Sequence, residues 1–255
     1  MTAKIPARLA ARLDVKNGRV IKGIQLEGLR VVGDPAEMAR RYYAGGVDEL
    51  VFIDPVATLY GRNSLFAIVA ETARDVFVPL VVGGGIRTVE DIREALRHGA
   101  DKVAINTAAV QRPEFLTEAA NAFGSQCVVL SVEAKRGPNG GWRVMTDNGR
   151  EPSGFDVVEW VARAESLGAG EVLLTSVDQE GTEIGFDVEL IEAVHRAVRI
   201  PVVASGGAGS PAHVVDLFKR GICDAVACAA ILHYAKHDVG EIKAALKSGG
   251  MEIRE

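Results

Sequence analysis

Two acidic residues, Asp14 and Glu133, are placed where carboxylates could transfer protons. Each follows a short segment rich in apolar residues, and each precedes a lysine by two positions, Lys16 or Lys135. Two carboxylates that face one substrate suit general acid–base catalysis. The alternative is a structural role, because carboxylates often cap loops or pair with nearby lysines.

Two glycine-rich turns, Gly83–Gly85 and Gly206-Gly207, could bind phosphate groups. Each turn stands between a short apolar segment and a predicted helix. Free N–H groups and the positive dipole end of a helix attract anions. Two such turns therefore suggest a ligand with two phosphates, although glycine also serves simply to allow tight turns.

The elements that must position these residues repeat along the chain. Val78–Asn106 is typical of a strand–helix–strand unit in which Thr88 caps the helix. The pattern returns from Ile200 onward, where Ser210-Pro211 begins the helix. For 255 residues, this repetition predicts an α/β fold, a single (β/α)8 TIM barrel, a fold of typically ~250 residues. We expect one domain over residues 1–255, built from two similar half-barrels of approximately 1–122 and 123–255.

In such a barrel the reactive groups lie at the carboxyl ends of the strands. Asp14 and Glu133 would end strands one and five, which lie across the barrel from each other. The other small or polar residues expected at these ends are Gly85, Asn106, Thr107, Glu180, Gly181, Gly206, Gly207, Ala229 and Ala230.

The opposite ends of the strands carry charge. Four residues begin strands one, two, four and six, namely Arg8, Glu49, Lys102 and Glu171. Two cations and two anions would ring the bottom of the barrel, and the simplest role for them is an ion-pair plug.

Two loops at the catalytic end are unusually long. Residues 16–32 form the first, which we expect to be a binding loop or lid. Residues 137–149 contain Asn139-Gly140 and Asn148-Gly149 and predict a small hairpin in the fifth loop.

Composition excludes several classes of protein. A net charge of −5 without a basic block argues against nucleic acid or an anionic membrane as the main partner. The cysteines Cys127, Cys223 and Cys228 lack metal-ligand spacing, so we expect them to be buried, and we expect neither a metal nor a cofactor. Charges interrupt the apolar run near the N-terminus, so we expect no signal peptide and a cytoplasmic location.

The sequence resembles the cyclase subunit of imidazole glycerol phosphate synthase, of histidine biosynthesis, over nearly its whole length. The most specific matching segments are LDVKNGRVIKG (13–23), DELVFID (48–54), VGGGIR (82–87), GADKVAINTAAV (99–110), GAGEVLLTSVDQEGT (168–182) and ASGGAG (204–209). A sibling isomerase shares the barrel, but INTAAV and LLTSVDQEGT are similar to the cyclase.

The resemblance implies a reaction and a partner. A glutaminase (amidotransferase) subunit would dock at the N-terminal face of the barrel to form a heterodimer, and its ammonia would pass a gate that matches Arg8, Glu49, Lys102 and Glu171. The substrate would be a bis-phosphorylated aminoimidazole carboxamide ribonucleotide with a ribulosyl arm, and the products imidazole glycerol phosphate and aminoimidazole carboxamide ribonucleotide. The family's catalytic carboxylates match Asp14 and Glu133.

The resemblance also implies roles for the remaining residues at the mouth. Lys22 matches a lysine of the mobile first loop that helps to close the site. One phosphate site matches Gly85, Asn106 and Thr107. The other matches Gly181, Gly206, Gly207 and Ala229, with Glu180 and Ala230 beside them.

Departures from the family pattern cluster in the barrel interior and the mouth. The family usually has aspartate at Glu133 and Glu180, and a small cysteine at Arg12. We expect Arg12 either to intrude on the ammonia path or to form a salt bridge with Glu133. These changes leave a second hypothesis open, a paralogous barrel that delivers ammonia for the amidine modification of a surface sugar.

Overall fold

The computed structural model describes residues 6–57 and 65–254, and eight of its strands close into a parallel barrel. The strands in chain order are β1 (Arg8–Lys16), β2 (Arg19–Ile24), β3 (Glu27–Gly33), β4 (Glu49–Ile53), β5 (Leu80–Gly83), β6 (Lys102–Ile105), β7 (Val128–Arg136), β8 (Trp142–Thr146), β9 (Glu151–Asp156), β10 (Glu171–Ser176), β11 (Val202–Ser205) and β12 (Ala225–Cys228). The barrel order is β1-β4-β5-β6-β7-β10-β11-β12, and β12 pairs with β1 to complete the ring. The predicted (β/α)8 barrel is therefore confirmed.

Helices lie between the barrel strands and cover the outside of the barrel. They are α1 (Pro35–Ala44), α2 (Phe66–Thr72), α3 (Val89–Arg97), α4 (Thr107–Gln111), α5 (Glu114–Phe123), α6 (Val157–Ser166), α7 (Val188–Ala197), α8 (Pro211–Arg220), α9 (Ala230–His233) and α10 (Val239–Ser248). Thr88 and Asp91 form the expected capping box of α3, and Ser210 caps α8 ahead of Pro211. Within the described residues, no helix is long and apolar enough to cross a membrane.

Alternation along the strands separates two apolar regions. On β1, Leu9, Ala11 and Leu13 pack between the barrel and the helices, whereas Ala10 faces the barrel interior, which we call the lumen. The lumen-facing apolar residues form one cluster, which we call the apolar layer, consisting of Ala10, Val51, Val81, Ala104, Val129, Leu173, Val203, Ala225 and Ala227. Because side chains fill this layer, the barrel interior is a packed core with charged groups at both ends.

Two hairpins extend the barrel at the carboxyl ends of the strands, which we call the mouth. The fifth loop contains a hairpin, as predicted, but its strands β8 and β9 extend it to Asp156, beyond the predicted end at residue 149. The first loop is also a hairpin, β2 and β3, which the sequence did not predict. Its turn has positive φ angles at Gln25 and Leu26, 51° and 64°, where the usual glycine signal is absent. Leu26 packs with Met145 and Val177, so the two hairpins meet over the mouth.

Candidate active site

The two predicted catalytic carboxylates lie on opposite sides of the mouth. Asp14 is on β1 and Glu133 on β7, and these strands are four positions apart around the eight-stranded barrel. The two residues are only 7% and 8% exposed. The fold therefore brings together, across one opening, two acids that are separated by nearly half the chain.

Glu133 is a buried acid whose carboxyl group accepts two hydrogen bonds. Its Oε2 accepts a hydrogen bond from the Gly149 backbone N–H at 2.8 Å and one from Asn106 Nδ2 at 3.3 Å. Burial raises the pKa of Glu133 to about 7, although the Arg12 charge and the Gly149 N–H oppose the rise. At neutral pH the residue is therefore present in both its protonated and its ionised form, which suits proton transfer in either direction.

Asp14 is held by Arg12, two residues earlier on the same face of β1. Arg12 Nε donates to Asp14 Oδ1 at 2.8 Å, and Arg12 Nη1 donates to Thr175 Oγ1 on β10, also at 2.8 Å. The expected salt bridge between Arg12 and Glu133 is not formed, because these two bonds direct the guanidinium toward Asp14 and Thr175. Burial alone lowers the pKa of Arg12, but the surrounding carboxylates, Asp14 foremost, outweigh it and raise that pKa.

Lys22 and Glu180 form an ion pair at the mouth. The two residues are 4% and 3% exposed, and they join β2 to the loop that follows β10. The backbone N–H of Gln25 donates to the Glu180 carbonyl at 2.7 Å, so the contact is made by main chain as well as by side chains. The first hairpin is thereby fixed above the barrel in this structure.

The first predicted phosphate site coincides with a pocket beside Glu133. Its lining includes all three predicted residues, Gly85, Asn106 and Thr107, and reaches down to Ala104. Asn106 Oδ1 is buried and has no hydrogen-bond partner among the described residues. A Cβ at Gly84, where φ is 93°, would overlap the backbone of Asp54, so glycine is required at this turn.

The second predicted phosphate site coincides with another pocket, on the other side of Asp14. The predicted residues that line it are Glu180, Gly181, Gly206, Gly207, Ala229 and Ala230. A Cβ at Gly207 would overlap the Gly185 carbonyl, and the φ angle there is 104°. Backbone can thus approach a ligand closely here. The mouth contains two glycine-lined pockets. Glu133 lines the first, and Asp14 lies on β1, between the strands that line the two pockets.

The four charged residues at the other end of the barrel form a closed ring, which we call the gate ring. Lys102 Nζ lies 2.7 Å from both Glu49 Oε1 and Glu171 Oε2. Arg8 pairs with Glu171 and lies 3.3 Å from Glu49. Burial alone raises the pKa of Glu171, but Arg8 and Lys102 outweigh it and lower that pKa. The four side chains are thus joined by ion pairs across the N-terminal end of the lumen.

Sequence reasoning missed two residues close to these groups. Thr175 anchors Arg12, and the alternation Glu171, Leu173, Thr175 along β10 could have placed it in the lumen. His233 is buried behind the mouth, with its Nδ1 2.7 Å from the hydroxyl of Tyr42. Burial lowers the pKa of His233 to about 4, so it is neutral at physiological pH. No sequence signal marked this pair.

Comparison with known proteins places the chain among histidine-pathway proteins. A family model described as "Histidine biosynthesis protein" matches residues 8–238, a range that contains all eight barrel strands. The "Imidazole glycerol phosphate synthase subunit HisF" of Legionella pneumophila is 62% identical over 79% of this chain and 95% of its own length. The proteins of the same name from Myxococcus xanthus and Methanopyrus kandleri are 54% and 48% identical. They cover 97% of this chain in each case, and 97% and 98% of their own lengths.

Proposed function

The chain belongs to the histidine biosynthesis protein family, among the subunits of imidazole glycerol phosphate synthase, and from that premise we propose how its mouth carries out the reaction. Its function is that of the cyclase subunit in histidine biosynthesis. One observation carries the proposal, the carboxylates Asp14 and Glu133 on opposite sides of a mouth that holds two glycine-lined pockets.

The bis-phosphorylated substrate would span the mouth. One phosphate would occupy the pocket of Gly85, Asn106 and Thr107, and the other the pocket of Gly206 and Gly207. Backbone N–H groups at glycine turns bind phosphate oxygens well, because no side chain keeps the ligand away. The reacting centre of the substrate would then lie above the carboxylates, and the two phosphates would fix its orientation.

The carboxylates would exchange the protons that the reaction moves. Ammonia forms a C–N bond to the ketone carbon of the ribulosyl arm, and the carbonyl oxygen then needs a proton. Glu133 can supply it, because its pKa of about 7 keeps part of it protonated at neutral pH. Asp14 accepts a hydrogen bond from Arg12 and is placed to take a proton from the attacking nitrogen. The protonated oxygen leaves as water, and the new nitrogen attacks the amidine carbon. Aminoimidazole carboxamide ribonucleotide departs as the leaving amine, and the imidazole ring of imidazole glycerol phosphate closes.

Lys22 would keep the first hairpin over the bound substrate. Its pairing with Glu180 fixes that hairpin against the loop after β10. A covered site excludes water, which strengthens the electrostatic interactions of the carboxylates with the reacting groups.

Ammonia would come from a glutaminase subunit docked at the N-terminal face of the barrel. The gate ring at that face supports this role, since a closed ring of four charges can separate two compartments until an ion pair opens. The relatives are named as subunits, which is consistent with a heterodimer. We also propose a cytoplasmic location, where three unpaired cysteines would stay reduced.

The sugar-modifying alternative loses its support. It depended on the altered residues Arg12, Glu133 and Glu180, yet proteins named for the histidine pathway are 48–62% identical to this chain. Arg12 and Glu180 each have an ionic partner within the site, Asp14 and Lys22, so these changes are accommodated there.

Substitution of Asp14 by asparagine tests the proposal. Asparagine keeps the shape and can still accept the Arg12 hydrogen bond, and turnover is compared on variant protein whose circular dichroism matches that of the unsubstituted chain. Turnover of the ribulosyl substrate with an ammonium salt should fall by about 10²- to 10⁴-fold, the usual contribution of an acid–base group. Asp216→Asn on the exposed face of α8 is the matched control. Near-normal turnover of Asp14→Asn would remove Asp14 from the mechanism.

A further inference from the structure

Arg12 crosses the lumen directly above the apolar layer. It extends from β1 to Thr175 on β10, and its side chain is only 4% exposed. In the barrel order, β11 and β12 lie between these strands on one side, and β4 to β7 lie between them on the other. The bridge from Arg12 to Thr175 therefore divides the upper lumen into two unequal parts.

Each part lies beneath one of the two pockets. On the β4–β7 side, the pocket beside Glu133 reaches down to Ala104 of the apolar layer and includes Ser131. On the β11–β12 side, the pocket of Gly206 and Gly207 reaches down to Ala227 and includes Ser205. The first holds a cavity of about 70 Å³ and the second one of about 10 Å³. The larger opening is thus on the side of Glu133.

We propose that Arg12 directs ammonia to the β4–β7 side of the mouth, so that it emerges beside Glu133 and not on the β11–β12 side. This inference rests on the proposed function, since it requires that ammonia crosses the lumen from the gate ring. A molecule leaving the apolar layer on the β11–β12 side reaches the smaller pocket, and the guanidinium bridge then separates it from Glu133. On the β4–β7 side it passes Ala104 and Ser131 and reaches Glu133.

The charges in the lumen agree with this route. The Arg12 guanidinium is a buried cation, and it would repel an ammonium ion at short range in a medium of low dielectric constant. Ammonia must therefore cross as the neutral molecule. It then arrives next to Glu133, the carboxyl group that supplies the proton to the carbonyl oxygen during the addition.

Matched substitutions on the two sides of the bridge test the route. Ala104 and Ala227 are each 3% exposed, and each forms the floor of one pocket. Valine at either position adds two methyl groups to the lumen. The measured quantity is the ratio of glutamine-supported to ammonium-supported turnover, in the complex with its glutaminase subunit. Free ammonium salt can enter from the mouth, so a blocked lumen lowers the ratio.

Ala104→Val should lower this ratio by about tenfold or more, whereas Ala227→Val should change it by less than about twofold. Equal effects, or a larger effect of Ala227→Val, would overturn the proposed route. If either valine variant fails to fold, Ser131→Thr and Ser205→Thr make the same comparison with a single added methyl group.

The unsubstituted complex separates failure of the route from failure of the function. Ammonium-supported turnover without glutamine-supported turnover would overturn the route, because no ammonia would be using the lumen. Absence of both activities would overturn the proposed function itself.

Discussion

Replacing Glu133 by glutamine should make the folded protein more stable at alkaline pH, even though it removes a catalytic group. In the unfolded chain this carboxyl loses its proton near the ordinary pKa of 4.5, but in the fold burial raises its pKa to about 7. Between these values unfolding releases a proton, so the free energy of unfolding falls as the pH rises. Above about pH 7 both states are ionised and the loss is complete.

The size of this loss of stability follows from the difference between the two pKa values. Each pH unit corresponds to about 1.36 kcal/mol, so the buried charge should cost the native state about 3 kcal/mol above pH 7. Glutamine has no proton to lose, and its Oε1 can still accept from the Gly149 N–H and from Asn106. Relative to the unsubstituted protein, Glu133→Gln should therefore gain about 2–3 kcal/mol of stability between pH 5 and pH 8.

Urea unfolding at the two pH values, followed by tryptophan fluorescence, measures this gain. All other ionisable groups are shared by the two proteins, so their contributions cancel in the difference. Glu114→Gln, on the exposed surface of α5, is the control and should show a much smaller dependence. A gain for Glu133→Gln that is the same at both pH values would show that the pKa of Glu133 is not raised in the fold, as would a loss that grows with pH.

Three further substitutions test other charges. Lys22→Met leaves the buried Glu180 carboxylate without its ionic partner, so the free energy of unfolding should fall by about 3–5 kcal/mol in urea titrations. A loss below about 1 kcal/mol would mean that the pair is solvated. Arg12→Met removes the charge that opposes the raised pKa of Glu133, so a carboxyl NMR titration should find that pKa above about 7, and a lower value would contradict this. Lys102→Met removes a cation that lowers the pKa of Glu171. The stability that this lowered pKa provides is present at neutral pH and disappears in acid. Urea unfolding should therefore show a larger loss of stability for the variant at pH 7 than at pH 4. An equal loss at both pH values would mean that Lys102 does not lower the pKa of Glu171.

Short-range sequence patterns correctly predicted helix starts and the faces of the strands. The Thr88–Asp91 capping box and the Ser210-Pro211 helix start are short-range patterns, and the structure has both. Strand alternation correctly placed Arg12 and Asp14 in the lumen, because a period of two leaves only one face for each residue. The residues of the gate ring were identified from their positions at strand starts, and barrel closure brings all four into contact.

The contacts inside the mouth could not be derived in the same way. Lys22 and Glu180 are 158 residues apart, and no local pattern relates them. The partner of Arg12 depends on which acid its guanidinium can reach once Thr175 is in place. The raised pKa of Glu133 depends on how completely the hairpins cover it. All three depend on the packing of elements distant in sequence, and the hairpin of the first loop was itself not predicted.

The most direct test of the central claim uses the purified chain with an ammonium salt and the bis-phosphorylated ribulosyl substrate, without any glutaminase. Substrate loss and both products should be followed together. The protein should turn the substrate over at about 1–10 per second, with imidazole glycerol phosphate and aminoimidazole carboxamide ribonucleotide formed in equal amounts. A folded protein that consumes no substrate, or that releases one product without the other, would contradict the assignment of cyclase chemistry to this mouth.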